Sequence, residues 1–184
     1  MKKLVQGAVF LSTLLLGAQV NAKQVNSAAQ THWSIGAGSY AFTITNDNDS
    51  SDSFDFTGFN LAAGYAGNNH FQIRASYFSL ENDDRPRRED SEGFDVMAYG
   101  GVGFSKKGFR GYGGAGLFSD KWSSQGNSES ISGIQLGGGL GYNWGPAALD
   151  FAVTLRRAAE YEDYMYDSGT YVAVSANATM SYLF

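Results

Sequence analysis

The 184-residue chain has no cysteine and only two prolines. Without cysteine there is no disulfide framework, and no thiolate site for zinc or an iron–sulfur cluster. Positive charge is also in short supply. Thirteen lysines and arginines stand against 18 aspartates and glutamates, a formal charge of −5. Nucleic-acid binders carry a basic face, so no nucleic-acid partner is expected. Only two histidines, His32 and His70, offer imidazole chemistry. After residue 16 no apolar run approaches the ~20 residues of a membrane-crossing helix. Mean hydropathy below zero points, taken alone, to a water-soluble chain. Glycine and aromatics are abundant: 24 glycines, 13 phenylalanines, 11 tyrosines and three tryptophans. The glycines alone would suit disorder, but disordered chains are poor in aromatics. The length is that of one domain with a substantial core.

Lys2 and Lys3 precede an apolar run from Leu4 to Leu16, which is followed by Val20-Asn21-Ala22. A charged start, a short apolar stretch and a small-residue site are the parts of an export signal. Cleavage is expected after Ala22. Residues 23–30 then form a short N-terminal periplasmic segment, and residues 31–184 the folded domain. Removing 22 of 184 residues leaves 162, with 11 basic and 18 acidic residues and a charge of −7.

From residue 31 onward apolar residues recur with period two, the mark of half-buried strands. Phe59, Leu61, Ala63 and Tyr65 alternate with polar or small residues. So do Phe71, Ile73, Ala75 and Tyr77, the even-numbered positions from Ile134 to Trp144, and Leu149, Phe151, Val153 and Leu155. The last such run is Val172, Val174, Ala176, Ala178, Met180, Tyr182 and Phe184. Weaker segments at 32–45, 94–104 and 109–119 bring the number to eight. The first changes phase, because Trp33, Ile35 and Ala37 are odd whereas Tyr40, Phe42 and Ile44 are even. A bulge near Gly38-Ser39 would reconcile them.

Connections at 66–69, 105–108 and 145–147 are tight, whereas 46–53, 81–93, 120–130 and 158–169 are long and polar. That alternation describes an all-β, eight-stranded, antiparallel up-and-down transmembrane barrel with short turns at the periplasmic end. Runs of 9–11 residues suit tilted strands crossing hydrocarbon. Tyr65, Tyr77, Phe104, Phe109, Tyr142, Trp144, Tyr182 and Phe184 are expected at the membrane–water boundary. Glycine runs at 100–103, 113–116 and 137–141 read as close-approach positions between strands. A dinucleotide loop would need a following helix, and none is visible.

The export signal, the alternating strands, the sorted connections and the terminal Met180-Ser181-Tyr182-Leu183-Phe184 resemble the small outer-membrane barrels. That group includes OmpX/Ail-type adhesion proteins, the OmpA transmembrane domain and opacity-like porin-family proteins. The resemblance implies residence in the outer membrane of a Gram-negative-type cell. It also implies contact with outer-membrane lipids and lipopolysaccharide. Met180, Tyr182 and Phe184 would then be read by the barrel-assembly machinery.

On the polar register, Arg74, Asp95, Asp150 and Arg156 are expected inside the barrel, where buried charges must pair. Arg74 and Asp95 fall on adjacent strands. Arg85, Arg87 and Arg88 in the second long connection suit anionic sugars or phosphates, since guanidinium binds them bidentately. Tyr161, Tyr164 and Tyr166 in the fourth suit protein or glycan contacts. Asp47, Asp49 and Asp52 are a weak divalent-metal candidate, without the glycine and glutamate of a calcium loop. No metal or other cofactor is expected.

Two alternatives stand beside a non-enzymatic role in envelope integrity or surface and host-ligand binding. One is a narrow passive channel, the other a lipid-modifying enzyme. An enzyme would need a histidine within hydrogen-bond reach of a serine at the outer leaflet. His32 and His70 fall at the opposite end, so no catalytic residue is assigned. A monomer is expected.

Overall fold

A computed structural model describes residues 32–46, 53–82, 89–124, 127–156 and 171–184. Eight strands run in order: β1 (Trp33–Asn46), β2 (Ser53–Asn68), β3 (Phe71–Asn82), β4 (Glu89–Val102), β5 (Gly108–Ser124), β6 (Asn127–Asn143), β7 (Ala147–Arg156) and β8 (Tyr171–Leu183). Each pairs with its sequence neighbours, and β1 closes on β8 to complete a barrel. All eight seams are antiparallel. Full closure leaves the paired region no sheet edge to seek a partner.

The stagger follows from the pairings. Paired residues lead from Trp33 through Tyr65, Ile73, Ala98, Ala115, Leu136, Leu155 and Val174 to Thr43, ten residues beyond the start on the same strand. Ten residues of stagger over eight strands corresponds to a tilt of roughly 40°. At that tilt the outward apolar stretch of β6, from Ile134 to Trp144, rises roughly 25 Å, the height of a hydrocarbon band. The large apolar residues of the strong alternating segments are exposed on the outer wall as the periodicity demands: Leu61, Ile73, Leu136, Phe151 and Tyr182 are examples.

Three local expectations are corrected. β1 carries no bulge, since its register with β2 and β8 is continuous from Ser34 to Thr45. Tyr40, Phe42 and Ile44 point into the lumen, with Ser39, Ala41 and Thr43 between them on the outer wall. Phe104 is not a boundary aromatic but fully buried in the lumen. The third long connection shrinks to two residues, 125–126, because β5 and β6 continue to Ser124 and from Asn127.

Two of these corrections, the continuous β1 and the shortened third connection, share a cause. Above the outward-facing Tyr77 and Phe94, the outer wall of β1–β6 turns polar: Thr43, Asp55, Glu81, Glu92, Lys121 and Ser130. At the same height the interior turns apolar, with Phe42, Ile44, Phe56, Phe78, Leu80, Phe118 and Ile131 forming one buried cluster. The strands have passed from hydrocarbon into water, so the face that prefers burial changes sides. Alternation persists with inverted polarity.

Candidate functional site

The lumen is where the charged residues converge, and it is filled in two tiers. The lower tier lies toward the short turns. Asp150 at the start of β7 is fully buried and faces two guanidinium groups. Arg110 Nη1 of β5 donates to Asp150 Oδ2 at 3.0 Å, and Arg74 Nη2 of β3 stands 3.4 Å from the same oxygen. Arg110 also donates from Nη2 to the Phe104 carbonyl at 3.2 Å and lies 5.7 Å from the centroid of that ring. Arg74 sits between Tyr99 and Tyr112, 5.6 and 5.5 Å from their centroids. Cation–π contacts of this kind strengthen where water is excluded. Gly139 makes room: a Cβ there would lie 2.6 Å from the Tyr112 hydroxyl and 2.5 Å from the Phe151 carbonyl oxygen.

The upper tier centres on Arg156, the last residue of β7. It is ion-paired through Nη1 to Asp120 of β5. From Nη2 it donates to the Tyr40 hydroxyl at 2.7 Å. Four rings surround the guanidinium, with centroids at 4.7 Å for Phe42 and Phe118, 5.1 Å for Phe78 and 6.0 Å for Tyr40. Tyr40 stacks on Phe78 at 4.7 Å. Trp122 closes over Phe56 and Phe42. A planar, weakly hydrated cation is the charge best suited to such a setting.

Between the tiers two pairs of uncharged polar residues bond across neighbouring positions. Asn60 Nδ2 donates to Thr179 Oγ1 at 2.9 Å, and the Thr154 and Ser175 hydroxyls are bonded together. Asp95 is buried here, approached by the Ser76 and Gln135 side chains and within electrostatic reach of Arg156 and Arg74.

Arg74, Asp95, Asp150 and Arg156 thus all lie in the lumen, but the ion pairing differs from the adjacent-strand expectation. Arg74 reaches across to Asp150 rather than pairing with Asp95. Sequence reading missed Arg110 and Asp120. Both belong to the even-numbered series of β5 that includes Tyr112 and Phe118, and extending that parity beyond residue 119 would have found Asp120.

Met180, Tyr182 and Phe184 alternate on the outer wall at the end of β8, with the Tyr182 and Phe184 rings stacked at 6.0 Å. His32 and His70 sit at the short-turn end, bonded through Nδ1 to the carbonyls of Ala66 and Gly101 at 2.7 and 2.9 Å. His32 thereby ties the start of β1 to β2, and His70 ties the β2–β3 turn to β4. Asp47, Asp49 and Asp52, Arg85, Arg87 and Arg88, and Tyr161, Tyr164 and Tyr166 lie outside the described residues. Among the described residues no cluster of three or more His, Asp or Glu is placed to hold a metal.

The barrel is similar to three solved outer-membrane structures. Ail, the attachment invasion locus protein of Yersinia pestis, is 21% identical, with a TM-score of 0.54 over 84% of this chain and 99% of that one. Neisserial surface protein A is 15% identical, with a TM-score of 0.60 over 83% and 97%. OprG from Pseudomonas aeruginosa is 12% identical, with a TM-score of 0.56 over 84% and 97%. At these identities the likeness establishes the fold. No curated relative matches the sequence. The description "Outer membrane protein beta-barrel domain" matches residues 8–184. An eight-stranded closed barrel with an apolar outer band, and a match over nearly the whole sequence, place this chain in the outer membrane protein β-barrel family.

Proposed function

We propose that this protein is a sealed, non-catalytic outer-membrane barrel acting through its long connections, in envelope integrity or in binding a surface or host ligand. The observation that carries the proposal is the pair of arginine tiers. Asp150 with Arg74 and Arg110, and Asp120 with Arg156, lie one above the other in a lumen only wide enough for side chains. An ion passing through would have to break buried pairs hemmed in by rings. In the proposed orientation the short turns and both ends of the chain are periplasmic, after export and cleavage beyond Ala22. The assembly machinery engages Met180, Tyr182 and Phe184.

The long connections supply the chemistry for recognition. Arg85, Arg87 and Arg88 match polyanions such as sulfated or phosphorylated sugars. Tyr161, Tyr164 and Tyr166 supply amphipathic contact area. Support comes from Ail, which has been solved with the heparin analogue sucrose octasulfate.

In planar bilayers the purified protein should show no steady single-channel conductance. A steady conductance that changes with Arg74→Ala or Asp150→Ala would replace the sealed barrel by a channel. Immobilised heparin should retain the protein at low ionic strength, and retention should be lost in the triple Arg85→Ala, Arg87→Ala, Arg88→Ala variant. Equal retention of the two proteins would remove the arginines from the binding surface.

A further inference from the structure

We propose that the short-turn end of the barrel, around Lys106 and Lys107, is a docking surface for anionic phospholipid headgroups such as phosphatidylglycerol. Naming that leaflet the periplasmic one rests on the orientation proposed above. The lipid contact itself rests on the residues.

Lys106 and Lys107 are both exposed in the connection between β4 and β5. Neither has an ion-pair partner among the described residues. Lys107 reaches over the neighbouring β6–β7 turn, where its Cε lies 2.5 Å from the position a Cβ on Gly145 would take. Gly145 has a φ of +110°, so glycine suits the turn and leaves space for the lysine stem. Next to the two turns stand Phe109, Tyr142 and Trp144, all exposed on the outer wall. Phe109 pairs across the β5–β6 seam with Tyr142, whose ring is 5.2 Å from that of Trp144. Such a cluster belongs at the headgroup boundary. A lysine beside it lays its stem along apolar surface and holds its ammonium at phosphate height.

The charge distribution selects the sign of the lipid. The exposed carboxylates of the described residues, Asp55, Glu81, Asp90 and Glu92, all lie at the far end of the strands. At the short-turn end Asp150 is buried and paired, so among the described residues no exposed carboxylate side chain there competes for the lysines. A headgroup phosphate supplies the missing anion. Each lysine near an anionic surface is expected to favour it by about fivefold at low salt.

Trp144 is a built-in reporter. With Trp33→Phe and Trp122→Phe in place, it is the single tryptophan of the full chain, and heat-modifiable gel mobility verifies folding. The variant is reconstituted in vesicles mixing phosphatidylcholine with phosphatidylglycerol, one lipid carrying brominated chains that quench tryptophan. Quenching should report at least a fivefold preference for phosphatidylglycerol, falling close to parity when Lys106→Gln and Lys107→Gln are added. Parity in the starting protein, or an unchanged preference in the glutamine variant, overturns the proposal. Inorganic phosphate should reduce the preference no more than sodium chloride of equal ionic strength. A specific loss would reassign the site to free phosphate.

The orientation is read separately. The chain has no cysteine, so Lys107→Cys carries the only thiol. A membrane-impermeant maleimide should label it only after the outer membrane is opened. Labelling of intact cells would overturn the periplasmic assignment and leave the lipid measurement standing.

Discussion

Asp150→Ala is expected to destabilise the barrel by roughly 3–5 kcal/mol, the range for removing one partner of a buried ion pair. One carboxylate faces two cations here, Arg110 at 3.0 Å and Arg74 at 3.4 Å, and it is fully buried. Its loss leaves two guanidinium groups among Phe104, Tyr99 and Tyr112, whose faces attract a cation but do not neutralise it. Asp150→Asn keeps an acceptor oxygen and should lose less. The check is the urea midpoint for folding into vesicles, followed by gel mobility. A midpoint for Asp150→Ala equal to that of the unaltered protein would mean that the lower tier is not held by this pair. The same variant bears on conduction, so folding and conductance together separate a weakened plug from an opened pore.

Phe78→Ala should be nearly as damaging, by about 3–5 kcal/mol. Phe78 is wholly buried in the upper cluster, stacks on Tyr40 at 4.7 Å and stands 5.1 Å from the Arg156 guanidinium. Truncation opens a cavity beside a buried cation. Leu117→Ala on the outer wall is the contrast. It removes a side chain of similar apolarity that is 64% exposed, and lipid closes over the gap. Paired midpoints for the two variants test the polarity inversion directly. If Leu117→Ala were the more harmful, the upper lumen would not be an apolar core. Phe78→Leu should recover much of the loss, because it restores volume without the ring.

Legibility followed the surroundings of each strand. Phe71 to Tyr77 could be read residue by residue, because one face meets hydrocarbon and the other a polar lumen, and period-two alternation records both. The same holds from Ile134 to Trp144. β1 could not be read in this way. Its apolar residues change parity between Ala37 and Tyr40, which in sequence is indistinguishable from a bulge. The structure shows a straight strand whose surroundings change, with the outer wall passing into water while the inner wall joins the aromatic cluster. The polar stretch after Phe118 resembled a loop for the same reason: Ser119, Lys121 and Ser123 face water while Asp120 and Trp122 turn inward.

The sequence by itself determined the number of strands, the division of each membrane-spanning segment into an apolar and a polar face, and the placing of Arg74, Asp95, Asp150 and Arg156 on the polar register. Each of these is a local consequence of period two. Only the tertiary structure decided which charges meet. A ten-residue stagger around eight strands brings Arg74 of β3 against Asp150 of β7 and Arg156 of β7 against Asp120 of β5. It likewise brought Lys107 over Gly145, uniting two turns with three aromatic residues. Distances across a closed barrel depend on tilt and radius, which belong to the closed sheet as a whole and to no single strand.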